Sequence, residues 1–160
     1  MAETSMLMKK SFFNPTKGFL SFEEMKEEIL VYMKEEGEYS IIIGCDSSSS
    51  LSPHFPVAVV VLRKGKGGRF FLKKVSYSSR RFHNTRERVM EEVFLSCKLA
   101  MEVKDALGFS DILYIHADVG GEGGTKDMIK EVTNFIRGNG FEPKIKPESF
   151  AASHLADRYT

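Results

Sequence analysis

The feature that most constrains the fold is residues 41–50, IIIGCDSSSS, where an apolar run ends on a carboxylate. The residues leading into it are rich in β-branched side chains, which is typical of a strand buried on both faces. An ionised carboxylate at the end of such a strand must be hydrated, paired or bound to a cation, because burying it alone is prohibitively unfavourable. The sequence therefore predicts a central strand that places Asp46 at an edge of a sheet.

The length of 160 residues fits one domain with a single core, which we assign to residues 21–160. Residues 1–20, broken by a proline and a glycine, are expected to be an irregular N-terminal segment. The two cysteines, Cys45 and Cys97, lack metal-ligand spacing and are expected to be small core residues of a reduced, cytoplasmic protein. The apolar runs are too short to cross a bilayer, so no membrane partner is expected.

Hydrophobic periodicity and turn residues predict an α/β fold. Ser21 and Glu24 form a capping box that opens the first helix, which should continue to Gly37. After the central strand, the predicted elements are strands at 57–63 and 69–77, a helix at 84–107, a strand at 111–117, a helix at 125–137, a strand at 141–146 and a last helix from about residue 149. Three hairpin-linked strands followed by two crossovers predict a mixed five-stranded sheet, three strands antiparallel and then two parallel, with helices on both faces. The first strand should be central, beside the fourth.

Asp118 ends the fourth predicted strand as Asp46 ends the first. Parallel neighbouring strands have their carboxyl ends at the same edge of a sheet, where open α/β sheets bind ligands. The two acids are therefore expected to converge. The structural alternative for each is a loop or capping aspartate, and Asp118 would suit the cap of the glycine loop that follows it.

Among the acids of the long predicted helix, Glu92 is the candidate for the site. Glu87 and Glu91 lie on a mostly polar stripe, whereas Glu92 is in line with apolar residues and is expected to face inward. The alternative is a salt bridge from Glu92 to Arg88, four residues earlier.

A fourth acid, Asp157, lies in the predicted last helix, within SFAASHLADRYT. A negative charge near the end of a helix opposes the macrodipole, so a compensating partner is expected. His154 shares a face with Asp157 and is a candidate ligand, proton shuttle or phosphate contact. A cation at the helix C-terminus is the alternative role of His154.

Four acids from separate elements suit Mg²⁺ or Mn²⁺, which are hard cations that prefer oxygen ligands. Two such ions can activate a water and stabilise a leaving oxygen in phosphodiester cleavage. Zinc is not expected, because the four histidines and two cysteines lack ligand spacing. His116, two residues before Asp118, is expected to be a hydrogen-bonded core residue.

Positive charge is concentrated in residues 63–88, which hold ten of the 23 lysines and arginines and one acid. Such a block favours binding to a phosphate backbone, and RNA, DNA and hybrid are not distinguished. The alternative is a solvated charged surface. The predicted nucleic-acid-binding residues are Lys64, Lys66, Arg69, Arg80, Arg81, Arg86 and Arg88.

Four segments carry a resemblance to a known family: IIIGCDSS, RKGKGGRFF, HADVGGEGGTKDMIKEV and GNGFEPKIKPESFAASHLADRYT. They resemble the YkuK-type family of ribonuclease-H-like proteins, and the likeness covers about residues 20–160. The resemblance implies the ribonuclease H fold. By position it nominates Asp46, Glu92, Asp118 and Asp157 as the metal-binding set.

The first functional hypothesis is a metal-dependent nuclease, or a nuclease-like nucleic-acid-processing protein, using Mg²⁺ or Mn²⁺. The second is a non-catalytic module that retains the fold and binds nucleic acid or protein. The third is hydrolysis of a small phosphorylated substrate at the same acids. In a nuclease, substitution of the strand aspartates should abolish cleavage. A binding module would show no turnover with metal even before substitution.

Overall fold

The computed structural model describes residues 9–48, 50–109, 113–122 and 124–146. These residues form one sheet of seven strands, in the spatial order β2-β1-β5-β4-β3-β6-β7. The strands are β1 (Phe12–Asn14), β2 (Gly18–Leu20), β3 (Tyr39–Cys45), β4 (Phe55–Arg63), β5 (Gly67–Val75), β6 (Leu113–His116) and β7 (Glu142–Lys144). The helices are α1 (Phe22–Tyr32), α2 (Thr85–Leu107) and α3 (Ile129–Gly138), and a short 3-10 turn (Lys126–Met128) leads into α3.

β3 is an interior strand and the middle one of the five predicted strands, as its apolar sequence predicts. It pairs antiparallel with β4 and parallel with β6, so the expected meander and crossover are both present. β4 pairs antiparallel with β5, and β6 pairs parallel with β7. The five predicted strands therefore occur in the predicted arrangement.

The sheet has two strands more than expected, and both come from residues predicted to be irregular. β1 pairs with β2 and also with β5, where Phe12 lies opposite Lys73. These strands are three residues long, which is too short to show a period in the sequence. β1 and β2 form a local hairpin with each other, and only β1 pairs with β5, about sixty residues further along the chain, which joins the hairpin to the main sheet.

The described helices pack on one face of the sheet, which corrects the expectation of helices on both faces. Ile41 and Ile43 of β3 share one large core with Met25 of α1, Val93 of α2 and Val132 of α3. The opposite face carries a smaller cluster, made of Ala58, Val60 and Leu72. The helix predicted from about residue 149 lies outside the described residues.

The start of the first helix and the end of the second follow the predicted capping chemistry, whereas α1 ends at Tyr32 and does not continue to Gly37. The Ser21 hydroxyl accepts a hydrogen bond from the Glu24 amide, and the Glu24 carboxylate accepts one from the Ser21 amide. The Asn84 side chain caps α2, and Gly108 ends it with a left-handed conformation at φ 63°. Within the residues described above, none of the helices combines the length and apolar character that crossing a membrane requires.

Candidate active site

Asp46 and Asp118 lie side by side at the carboxyl edge of the sheet. β3 and β6 are parallel neighbours in a register that pairs Gly44 with His116. Each aspartate comes two residues after its member of that pair, and neighbouring strands are about 4.8 Å apart. Both side chains are half-buried. The convergence predicted from the two strand ends is therefore present in the backbone.

Glu92 reaches the same edge from α2. The residue is 5% exposed, which confirms that it faces inward. Its Oε1 accepts hydrogen bonds from the Ser47 backbone amide at 3.3 Å and from the Ser47 hydroxyl at 2.9 Å. Arg88, the alternative partner, donates to Thr85 at 3.3 Å. The inward orientation of Glu92 is thus fixed by the loop that follows β3.

The second oxygen of Glu92, Oε2, is buried and has no hydrogen-bond partner among the described residues. The pKa of Glu92 is raised to about 8, chiefly by burial and also by the negative charges of Asp46 and Asp118, while the hydrogen bonds from Ser47 lower it in part. The two aspartates therefore act on Glu92 electrostatically, so the three carboxyl groups share one neighbourhood.

Lys146 is a site residue that sequence reasoning missed. Its Nζ lies 2.7 Å from Oδ1 of Asp118, and its backbone amide donates to the Val119 carbonyl at 2.9 Å. Gly120 permits this approach, because a Cβ on Gly120 would lie 2.9 Å from the Cβ of Lys146. The sequence does contain an indication of this contact. Lys146 follows β7 as Asp118 follows β6, and the two strands are parallel neighbours.

The acids fit a hard divalent cation in donor type, since all three offer carboxylate oxygens and one oxygen of Glu92 has no partner in the described part of the chain. Within the described ranges, however, no three histidine, cysteine, aspartate or glutamate side chains are grouped closely enough to hold a metal ion. Glu92 is turned toward Ser47, and Asp118 is paired with Lys146. The other predicted ligands, Asp157 and His154, lie outside the described residues.

A second buried acid, Glu91, lies next to Glu92 and corrects the expectation that Glu91 belongs to a polar stripe. It is 6% exposed. Its two oxygens accept hydrogen bonds from Arg80 Nη1 at 3.1 and 2.9 Å, and Oε1 also accepts one from the Tyr77 hydroxyl at 3.3 Å. The stripe is covered because the segment after β5 folds over the start of α2 and buries Phe82 in the core.

Arg80 is held on an aromatic platform at the edge of the sheet that carries Asp46. Its guanidinium carbon lies 4.6 Å from the ring centre of Phe82 and 5.5 Å from that of Tyr77. The side chain is still 53% exposed, and Nη1 alone makes the hydrogen bonds to Glu91. The carboxylate of Glu91 therefore holds the guanidinium of Arg80 in place, while its other N–H groups remain accessible to a ligand.

The predicted basic residues fall into two groups at opposite ends of the sheet. Lys64, Lys66 and Arg69 belong to the β4–β5 hairpin, where Tyr39 lies opposite Arg63. The carboxylates lie beyond Cys45 at the other end of β3. The order of hairpins in the sequence already contained this separation, because consecutive antiparallel strands turn at alternate ends.

The second group lies near the carboxylates and has its own partners. Arg81 donates to the Ser52 hydroxyl at 2.7 Å, and Arg86 forms an ion pair with Glu131. Arg80 and Arg88 have the contacts given above. This group brings positive charge to the carboxyl edge of the sheet, and the hairpin group does not.

Cys45, Cys97 and His116 are buried, as expected from the sequence. Both cysteines are free thiols, and burial raises the pKa of Cys45 well above its usual value and that of Cys97 to about 12. Thiols in that state are poor nucleophiles and poor metal ligands. The candidate reactive groups at this edge are therefore the carboxylates.

Arg80→Met is expected to lower the free energy of unfolding by roughly 3 kcal/mol, because it leaves Glu91 buried beside the Tyr77 hydroxyl alone. The double variant Arg80→Met/Glu91→Gln should recover more than half of that loss, since a neutral amide is less unfavourable to bury. Urea unfolding measures both variants. Arg86→Met is the matched control and should lose less than about 1 kcal/mol, because its ion pair is exposed. Equal losses in the single and double variants would contradict a stabilising buried pair.

Comparisons with known proteins agree with this architecture. A family model described as Ribonuclease H-like matches residues 24–160. The uncharacterized protein YkuK of Bacillus subtilis (strain 168) is 27% identical over 166 residues, which cover 93% of this chain and 96% of that protein. No solved structure matches the chain significantly.

Proposed function

The chain belongs to the ribonuclease H-like family, of the YkuK type, and on that premise we propose that it is a nuclease dependent on Mg²⁺ or Mn²⁺. The observation that carries the proposal is the placement of Asp46, Glu92 and Asp118 at one edge of the sheet, where one oxygen of Glu92 finds no hydrogen-bond partner among the described residues. A buried carboxylate oxygen without a partner is the kind of group that a bound cation would satisfy.

The proposed metal ligands are Asp46, Glu92, Asp118 and Asp157. The first three come from the described edge, and Asp157 is nominated by the family resemblance, with His154 as a further ligand, proton shuttle or phosphate contact. A divalent cation held there would activate a water and stabilise negative charge on the leaving oxygen. Ser47 orients Glu92 toward this position through its amide and hydroxyl.

The proposed phosphate contacts near the carboxylates are Arg80, Arg81, Arg86 and Arg88. Arg80 is the best defined of them, because Glu91 and Phe82 fix its guanidinium while part of it stays exposed. An arginine fixed in this way loses little side-chain entropy when it binds a phosphate. It would hold the nucleic-acid backbone beside the acids.

The test is a cleavage assay on labelled single-stranded RNA, single-stranded DNA, both duplexes and the hybrid. With Mn²⁺ or Mg²⁺ we expect cleavage of at least one of them, and with EDTA none. Cleavage that persists in EDTA would reject a metal-dependent reaction.

The alternative is a non-catalytic module that binds nucleic acid or protein and retains the fold. One observation favours it: Lys146 already pairs with Asp118 at 2.7 Å and supplies the positive charge that a metal would otherwise bring. A binding module would retain strands on a filter without cutting them at any metal concentration. Absence of turnover on all five nucleic acids, with measurable affinity for one, would select this alternative.

A further inference from the structure

A cleft lies at the end of the sheet opposite the carboxylates. We call it the distal cleft; it has a volume of about 930 Å³ and lies between the β1–β2 turn, the exposed face of α1 and the β4–β5 hairpin. Its basic lining residues are Lys17, Arg63, Lys66 and Arg69, and Tyr32 forms part of its wall. Nothing in the proposed cleavage chemistry uses this cleft.

Two of these four basic side chains have no acidic partner among the described residues. Lys17 pairs with Glu28 at 3.7 Å, and Arg63 pairs with Glu35. In contrast, the side chain of Lys66 has no ion-pair or hydrogen-bond partner within the part of the chain that the structure describes, and Arg69 donates only to the neighbouring Gly68 carbonyl there. The distal cleft therefore presents two available positive charges to an anionic ligand.

Arg69 also supplies a flat surface. Its guanidinium carbon lies 4.6 Å from the ring centre of Tyr32. The Tyr32 hydroxyl donates to the Gly67 carbonyl at 3.0 Å, which fixes the ring against the hairpin. Stacked Arg and Tyr planes of this kind accept an unpaired nucleobase, which is exposed in single strands and hidden in duplexes.

The distance between the two ends of the sheet sets the length of nucleic-acid strand that can reach both sites. From Tyr39 to Cys45, β3 spans six residue steps, which is about 20 Å at 3.3 Å per residue. A strand whose bases stay stacked advances about 3.4 Å per nucleotide and needs roughly six nucleotides to cover that distance. Lys73 and Lys74 of β5 lie between the ends.

We infer that the distal cleft is a secondary binding site for single-stranded nucleic acid, which the strand reaches only when it is long enough to extend from the carboxyl edge. The inference rests on the proposed function and adds to it the substrate class and a minimum length. Engagement of the second site is intramolecular once the first is occupied, so it raises affinity without changing the reaction.

The test measures affinity in EDTA, where no turnover occurs, for single strands of 3, 6, 9 and 12 nucleotides. Affinity of the wild type should rise by roughly tenfold between 6 and 12 nucleotides. In Lys66→Glu/Arg69→Glu this step should disappear, and the salt slope for the 12-nucleotide strand should fall by about 1.4, or 0.7 for each cation. The 3-nucleotide strand should bind wild type and variant equally.

Controls separate this inference from folding and from the proposed function. Lys98→Glu/Lys130→Glu reverses two exposed charges on α2 and α3 and should keep the length step. Lys66→Arg/Arg69→Lys should keep most of it, because the positive charge is retained, and equal binding of the 3-nucleotide strand shows that the reversed variant is folded. If the rise in affinity between 6 and 12 nucleotides survives in Lys66→Glu/Arg69→Glu, the distal cleft is not the secondary site, and the proposed function is unaffected. Failure of every strand to bind would overturn the proposed function as well. If inorganic phosphate bound and the affinity for strands did not depend on their length, the ligand of the cleft would be a small anion and not a strand.

Discussion

Asp118→Asn is expected to lower metal-dependent cleavage at least about 100-fold, which corresponds to roughly 3 kcal/mol of transition-state stabilisation. Asparagine has nearly the same shape as aspartate but no negative charge, so it is a much weaker ligand for a hard cation. Asp118 follows β6 at the edge where Asp46 follows β3, so Asp46→Asn should have an effect of the same size.

Initial rates in Mn²⁺ on the best-cleaved nucleic acid measure this loss. Affinity for the same strand in EDTA should stay within about threefold of wild type, because removing a negative charge does not weaken phosphate contacts. Glu122→Gln, an exposed acid in the glycine loop after Asp118, is the matched control and should cleave at the wild-type rate. Cleavage at that rate in both aspartate variants would reject the carboxyl edge as the active site.

The second large effect is on stability, and it depends on pH. Burial raises the pKa of Glu92 from an ordinary value of 4.5 to about 8, so the folded protein holds this proton more tightly than the unfolded chain. The stabilisation from that proton is complete below pH 4.5 and is lost as the pH rises through about 8. We therefore expect the free energy of unfolding in EDTA to fall by at most about 5 kcal/mol across this range.

Urea unfolding at pH 5, 6.5 and 8 measures how the free energy of unfolding changes with pH, which we call the slope. In Glu92→Gln the contribution should vanish, because the amide does not titrate, whereas its carbonyl can still accept the bonds from Ser47. Glu102→Gln, at an exposed position of the same helix, should keep the wild-type slope. Identical slopes in wild type and Glu92→Gln would contradict the buried, protonated state of this residue.

The same experiment connects stability to metal. A divalent cation favours the ionised form of Glu92, so Mn²⁺ at pH 8 should restore stability to the wild type. At a concentration of 100 times the dissociation constant the gain is about 2.7 kcal/mol. Glu92→Gln should gain much less, and a metal effect of equal size in both proteins would place the ion elsewhere.

Much of the fold follows from local chemistry. The ends of α1 and α2 are set by Ser21, Asn84 and Gly108, whose capping contacts lie within three or four residues. The central position of β3 follows from its apolar run, and its pairing with β6 follows from the crossover. β1 and β2 did not follow, because each is only three residues long and the pairing that joins their hairpin to the sheet is with β5, far along the chain. The packing of the three described helices on one face of the sheet likewise depends on contacts between distant segments, which no one segment encodes.

By itself, the sequence determined that Asp46 and Asp118 end neighbouring strands and that Glu92 faces inward. Each of these results needs only the burial pattern within one element and the direction of its neighbour. The tertiary structure alone decided that Glu92 meets Ser47 and that Glu91 is buried too. The contacts of Glu91 and Glu92 join residues from 11 to 45 positions apart, so they exist only after loops fold over α2. Partner choice is therefore a property of packing, because a carboxylate reaches whatever donor the chain brings within about 3 Å.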